Sequence, residues 1–481
     1  MNWIKKTLIT AVLLFISLLM SLFAQEVRQW SLEDCIDYAL QNNIQIKQQL
    51  LNEELSRQDA LLSKGAFLPN LNGFASHSYN YGRTVDRFTN QFAESQVQSN
   101  NFYVSSQATL FSGFRIYNSF RQTQLNLQAS GYETERYKND IALGVATAYL
   151  NVLFAKSLFD NAKLQIDATE IQLNRTRKLT EAGVLSEINA LNMEAQFAAE
   201  ELTLINAENQ LSMAYLSLVQ MLDLKEVGSF SVIEPNIQID GIQELLLTPF
   251  QIYEISIKKM PEIQAGIYRL KAAQKGLLVA RSAYSPQLTI QGSIGTGFSG
   301  ASKEIKSFAL RGLDTIGFVP ATNDVVVAPG FSYNYATKSF EDQINDNLNQ
   351  TIGFNLSIPL FNGFQVRSSV NRAKIGLKMA EYNNQLIENQ LFKSIQQAHA
   401  DALAALKRYH SANKAMRAYK LAYEQIEVRY NIGSSSFFEF SDAKAKYNKA
   451  SNDLIQAKYD YIFKSKIIDF YMGKPLQIER Q

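Results

Sequence analysis

FYVSSQATLFSGF (Phe102 to Phe114) alternates without a break: Phe102, Val104, Ser106, Ala108 and Leu110 fall on one side, and Tyr103, Ser105, Gln107, Thr109 and Phe111 on the other. Period two predicts a β-strand, and no charge interrupts it. Gly113 stands where the strand must give way. The same pattern returns when Ile352, Phe354, Leu356, Ile358 and Leu360 alternate with Thr351, Gly353, Asn355, Ser357 and Pro359, and LFSGF (Leu110 to Phe114) is echoed by LFNGF (Leu360 to Phe364).

Other landmarks are doubled in the same order. KGAFLPNL (Lys64 to Leu71) pairs with RSAYSPQL (Arg281 to Leu288), and EAGVLSEINA (Glu181 to Ala190) with NIGSSSFFEF (Asn431 to Phe440). The offset is roughly 217 for the first pair and roughly 250 afterwards, so about 33 extra residues lie between the first and second landmarks of the second copy. They fall in the stretch from Ser299 to Gln350, whose Asn, Ser, Gly and Asp residues predict a long polar loop, the counterpart of a shorter loop from Gly82 to Asn101. Partner strands are expected near Leu71 to Tyr81 and Leu288 to Phe298, entered past Pro69 and Pro286. Each half then carries two strands of about ten residues, enough to cross an outer membrane at a tilt.

Beyond each strand pair the period changes. Ile141, Val145, Ala148, Val152, Ala155, Phe159, Ala162, Ile166, Thr169 and Leu173 keep a 4-3 spacing, and the second half keeps it in phase from Leu391, Ile395, Ala398, Ala402 and Ala405 to Tyr430. A helix from Phe114 to Thr180 would run about 100 Å at 1.5 Å per residue. A second seam descends through Leu204, Ala207, Leu211, Ala214, Leu218 and Met221, and its counterpart is interrupted by Lys464. Shorter helices open each half, with caps at Ser31 and Asp34 and at Thr248, Pro249 and Gln251.

The expected organisation is an export signal at 1–24, a first repeat at 25–223, a linker at 224–247, a second repeat at 248–474 and a tail at 475–481. Lys5 and Lys6 before the apolar run from Leu8 to Phe23 mark the signal. No later run approaches the roughly 18 apolar residues of a spanning helix. Cys35 is the one cysteine, which excludes an intrachain disulfide and a thiolate metal cluster. With a formal net charge of +2 and 19% charged residues, the chain offers no electrostatic case for nucleic acid. His77, His399 and His410 form no HExxH, and neither GxSxG nor a P-loop occurs, so no enzyme chemistry and no cofactor are expected.

Four strands cannot close a barrel, and open edges in lipid would cost several kcal/mol per unpaired group. The chain must then oligomerise, and twelve strands from three copies fall within the roughly 8 to 26 of known barrels.

SLEDCIDYALQNN (Ser31 to Asn43), LFSGF, LFNGF and RYNIGSSSFFEFSDA (Arg429 to Ala443), in this order and duplication, resemble the TolC family of outer-membrane efflux proteins across essentially the whole mature chain. The resemblance implies a mixed α and β membrane protein. Four transmembrane strands per protomer would complete a trimeric twelve-stranded β-barrel in the outer-membrane lipid, continuous with a long α-helical barrel in the periplasm. It implies a passive exit duct for tripartite efflux or type I secretion. Its partners would be a periplasmic adaptor and an inner-membrane pump of the RND, ABC or MFS type. In the family's better-known members the periplasmic end is narrowed by acidic rings in a DVLDA motif; here EFSDA puts Glu439 and Asp442 at those positions. Glu439 has two readings, since Ser436 followed by Glu439 is also a capping box. Tyr430 matches a tyrosine of the family's lock, whereas Ser435 replaces an arginine and Asn189 an aspartate, so closure is expected to rest less on ionic bonds. The turns at Gly183, Val184 and Leu185 and at Gly433, Ser434 and Ser435 are the expected adaptor contacts. A periplasmic coiled-coil scaffold or adhesin outside the membrane is the alternative, which would explain the seams but not the uncharged alternating segments.

Overall fold

The computed structural model describes residues 28–93, 96–224, 230–234 and 247–475. The expected signal, most of the expected linker and nearly all of the tail lie outside them. In chain order the described elements begin with β1 (Arg28–Trp30), α1 (Leu32–Asn42), α2 (Ile44–Gly65), β2 (Asn70–Asn80), β3 (Thr84–Val85), β4 (Phe92–Ala93) and β5 (Val97–Phe111). Then come α3 (Arg115–Glu181), α4 (Glu187–Met221), β6 (Phe230–Val232), α5 (Pro249–Lys259), α6 (Pro261–Arg281) and β7 (Gln287–Ser299). The chain continues with β8 (Lys303–Phe318), β9 (Val325–Thr337), α7 (Phe340–Asp346), β10 (Asn349–Ser357), α8 (Gln365–Asn431) and α9 (Phe437–Tyr471). They fall into two compact units.

One unit takes Gln58–Gln124 and Ala272–Leu377. Its main sheet has four antiparallel strands in the order β10-β7-β5-β2. The register gathers like residues into rungs: Leu71, Ser106, Gly292 and Ile352 lie side by side, as do Ala108, Ile290 and Phe354. One residue along, the other face carries Asn72, Ser105, Ser293 and Thr351. This polar face is concave, with Asn70, Gln107 and Gln291 also lining its hollow. The apolar face is open, Leu71 being 75% and Ile352 77% exposed. β10 stops at Ser357, short of the expected Leu360. Pro359 has no N–H to give a ladder, which ends the strand.

The stretch expected as a polar loop from Ser299 to Gln350 is corrected by the structure: β8 and β9 pair as a long antiparallel hairpin, followed by α7. Register shifts between Ile305 and Ser307, Leu310 and Gly312, and Thr315 and Gly317 explain why it does not read as strand. Each bulge adds a residue and resets the period of two.

The other unit comprises Met1–Arg57, Leu125–Lys271 and Lys378–Gln481, of which only the described parts are treated. Seam residues Val145, Ala148 and Val152 of α3 are buried with Trp30, Leu32 and Cys35, with Leu218 of α4 and Leu222 just past its end, and with Tyr459 and Ile462 of α9. β1 and β6 pair in parallel over this core, and the buried Tyr149 hydroxyl donates to the Ile233 carbonyl at 2.6 Å. The second repeat builds a matching core from Ile252, Met260, Ile263, Leu391, Ile395, Ala402 and Ile468. Lys464, the break in the fourth seam, is accounted for by an ion pair with Asp401 at 3.2 Å. One expectation needs correction, because an 18-residue window of α3 has a mean hydropathy of 1.5 and is apolar enough to span a membrane. The core around Tyr149, Val152 and Leu153 explains that composition without a bilayer.

Candidate functional site

Each long helix turns back through the same local geometry. At the end of α3 the Gly183 N–H bonds to the Thr180 carbonyl and the Val184 N–H to Leu179; at the end of α8 Gly433 bonds to Tyr430 and Ser434 to Arg429. This is a Schellman closure, and it needs a left-handed residue. Gly183 has φ +75° and Gly433 φ +76°, and neither has an atom within 4 Å of where a Cβ would stand. Conformation and not crowding therefore selects glycine. Gly183→Ala and Gly433→Ala are each expected to cost about 1 kcal/mol, read as roughly five-fold faster hydrogen exchange at the Val184 or Ser434 amide. Equal exchange in variant and parent would show that the turn tolerates the strain.

The two turns lead into their second helices differently. Ser436 caps α9 in a full capping box: its hydroxyl accepts from the Glu439 N–H at 3.2 Å, and the Glu439 carboxylate accepts from the Ser436 N–H at 3.1 Å. The Ser435 hydroxyl also donates to that carboxylate. Hydrogen bonds from Ser435 and then from the Ser436 backbone hold the Glu439 carboxyl below its ordinary range. In the first half Asn189 occupies the equivalent place, where its amide donates to Ser186 Oγ at 3.1 Å and Ser186 makes no side-chain cap. The open alternative for Glu439 thus has its geometry: the side chain is a cap.

Asp442 is exposed one turn on and pairs with Lys446 at 2.7 Å. Tyr430 stacks on Phe440 at 4.6 Å in a small core with Leu173, Met193 and Phe437. Burial raises the Tyr430 phenol above its usual pKa, against the opposing pull of the Thr176 hydroxyl and the Arg175 charge beside it. No Tyr430 to Asn189 bond forms within the protomer, since Asn189 is turned to Ser186. Gly183, Val184, Gly433 and Ser434 are exposed, and Leu185 and Ser435 are half-buried.

Sequence reasoning missed the polar centre behind the tip. Lys444 of α9 and Glu200 of α4, with side chains 7% and 8% exposed, form an ion pair at 2.9 Å. The Thr169 hydroxyl of α3 accepts from Lys444 and donates to Glu200, and Gln196 donates to Glu200 at 2.8 Å. Three helices from both repeats are tied at one buried point. Thr169 was the signal: a hydroxyl interrupts an otherwise apolar seam there. On the exposed side, Arg175 donates to Asn431 Oδ1 at 2.8 Å, a second polar tie between the repeats.

The family described as outer membrane efflux protein matches residues 35–223 and 252–474, the two repeats with the segment between them left out. The chain belongs to this family. It is 20% identical to the outer membrane protein TolC of Vibrio cholerae over 93% of this chain and 92% of that protein. It is 21% identical to the alkaline protease secretion protein AprF of Pseudomonas aeruginosa, covering 90% and 82% of the two chains. Among solved structures, the outer membrane protein VceC of Vibrio cholerae superposes with a TM-score of 0.73 at 14% identity, covering 93% of this chain and 97% of that one. CusC does so with a TM-score of 0.71 at 15% identity and 92% coverage of both. The fold is that of these channels, and the protein is an outer-membrane efflux protein of a transport family rather than an enzyme family.

Proposed function

We propose that three copies of this chain close a twelve-stranded barrel that serves as the exit duct of a tripartite export system, coupled through a periplasmic adaptor to an inner-membrane pump. The observation that carries this reading is the sheet itself, with an open apolar face, a concave polar face and edges at β10 and β2 that are unpaired among the described residues. With four strands per copy, β10 of one protomer meets β2 of the next in antiparallel sense, and the alternation continues round the ring. The apolar face then meets lipid and the polar face lines the channel. A scaffold that never enters the membrane has no use for such a face. The proposed pump is of the RND, ABC or MFS type, and capture of the native complex with identification of its co-purifying adaptor and pump tests the coupling.

The helical turns are proposed as the periplasmic entrance. Val184 and Ile432, 67% and 75% exposed, flank the turn glycines and present apolar side chains to an adaptor. Crosslinking from Ser434 that captures the channel without an adaptor contradicts that contact. At the constriction Asp442 is the acidic candidate, Glu439 being held as a cap. Lys446 offsets its charge, so two outcomes are expected together: Asp442→Asn lowers cation preference in single-channel recordings, and Lys446→Gln raises it. Unchanged selectivity in both variants removes Asp442 from the pore.

A further inference from the structure

The bulges of β8 shape its surface. Residues paired across the ladder share a face, and one face collects Ile305 with Tyr335, Phe308 with Tyr333, Leu310 with Phe331, Leu313 with Pro329 and Phe318 with Val325, along with Thr315 beside Val327 and, at the root, Lys303 beside Thr337. The opposite face holds Ser307 with Asn334, Ala309 with Ser332, Gly312 with Gly330 and Asp314 with Ala328. Each bulge returns the next large apolar residue to the first face. Its side chains are open, from 40% exposed at Phe331 to 68% at Leu310 and Leu313.

Such a surface needs a covering. A two-stranded hairpin is marginal in water by itself, and a continuous apolar patch of this extent marks an interface. Among the described residues β8 and β9 pair only with each other, so both outer edges are unpaired. Unlike β10 and β2, whose edges meet in the trimer, β8 and β9 have no further strand to pair with among the described residues, and lipid would leave their edges without hydrogen bonds. The covering is therefore protein.

Its identity comes from where the hairpin is rooted. It grows from the connection between β7 and β10, at the end of the sheet away from the helices, and β10 is the edge strand that faces the next copy. The root is fixed: buried Gln343 of α7 donates to the Ser299 and Lys338 carbonyls at 3.0 and 2.9 Å, and Ser299 is also tied to Asp86. Closure of the barrel thus brings three identical, anchored hairpins to one rim, where effective concentration favours their association over any free partner.

We propose that the apolar faces of the β8–β9 hairpins of neighbouring copies pack against one another outside the membrane and narrow the external mouth of the channel. This packing rests on the trimer described under Proposed function. The test places one cysteine on each face in separate full-length chains, Phe331→Cys on the apolar face and Ser332→Cys on the other, with Leu313→Cys as a second apolar-face probe should Phe331→Cys fail to assemble. Native Cys35 does not compete, since it is buried and burial, with Asp34 and Glu33 nearby, pushes its thiol up to about 12. Mild oxidation is expected to link two chains through the apolar-face cysteine, which reacts with a membrane-impermeant maleimide at least about ten-fold more slowly than Ser332→Cys. An intact trimer whose apolar-face cysteine stays unlinked and labels as fast as Ser332→Cys overturns the packing and leaves the trimer standing. Absence of any trimer overturns both.

Discussion

Lys444→Met, made in a chain that keeps Glu200, is expected to destabilise the helical unit by about 3–5 kcal/mol, because it leaves a buried carboxylate without its cation. The parent pair is almost wholly enclosed, at 7% and 8% exposure, so water cannot take the place of the ammonium. Thr169 and Gln196 would still donate to Glu200, but two neutral donors do not neutralise a charge. The double replacement Lys444→Met with Glu200→Leu should recover most of the loss, since a well-packed apolar pair costs about as little as a buried ion pair or less. Because Thr169 lies on α3, Glu200 on α4 and Lys444 on α9, the single variant should also loosen the hairpins against one another and raise resting conductance. Denaturant unfolding and planar-bilayer recording read the two effects. Single and double variants of equal stability would mean that the pair does not tie the repeats together.

The second large effect is an asymmetry between neighbouring residues of one strand. Ile294→Arg puts a guanidinium on the apolar face of β7 near mid-strand, and Ser293→Arg puts the same group on the concave polar face. A charge facing lipid at the bilayer midplane costs about 2–4 kcal/mol, whereas one facing the channel costs little. Three copies multiply the difference, so Ile294→Arg should abolish the heat-modifiable assembled form while Ser293→Arg retains it and shifts ion selectivity toward anions. Equal assembly of both would mean that the two faces are not lipid and channel.

Legibility in the sequence tracked the regularity of the period. The strand around Val104, regular as far as the shift between Thr109 and Phe111, and the α3 seam from Val145 to Leu173 were legible from their spacing, and the less regular strand around Ile294 from its lack of charge and its place in the repeat. β8 and β9 were not, since three bulges scatter Ile305, Phe308, Leu310 and Leu313 across both sequence parities while keeping them on one face in space. At the tip, the capping box of Ser436 and Glu439 is a local spacing and was visible. The Asp442 to Lys446 pair has the same visibility, one helical turn apart, and it alters the charge expected at a constriction. The Lys444, Glu200 and Thr169 centre joins residues that are distant in sequence on three helices, and no local spacing announces it. Helix seams fix which faces meet, but not which polar residue at one level finds its partner.

The number of copies that close the sheet decides whether the chain forms a duct at all. Native mass spectrometry of the complex extracted from the outer membrane counts them directly. Three chains per complex is the predicted result, with the four-stranded sheets giving an unbroken antiparallel ring. A single chain or a pair held stably in the membrane, or a protein released as a soluble periplasmic species, contradicts it.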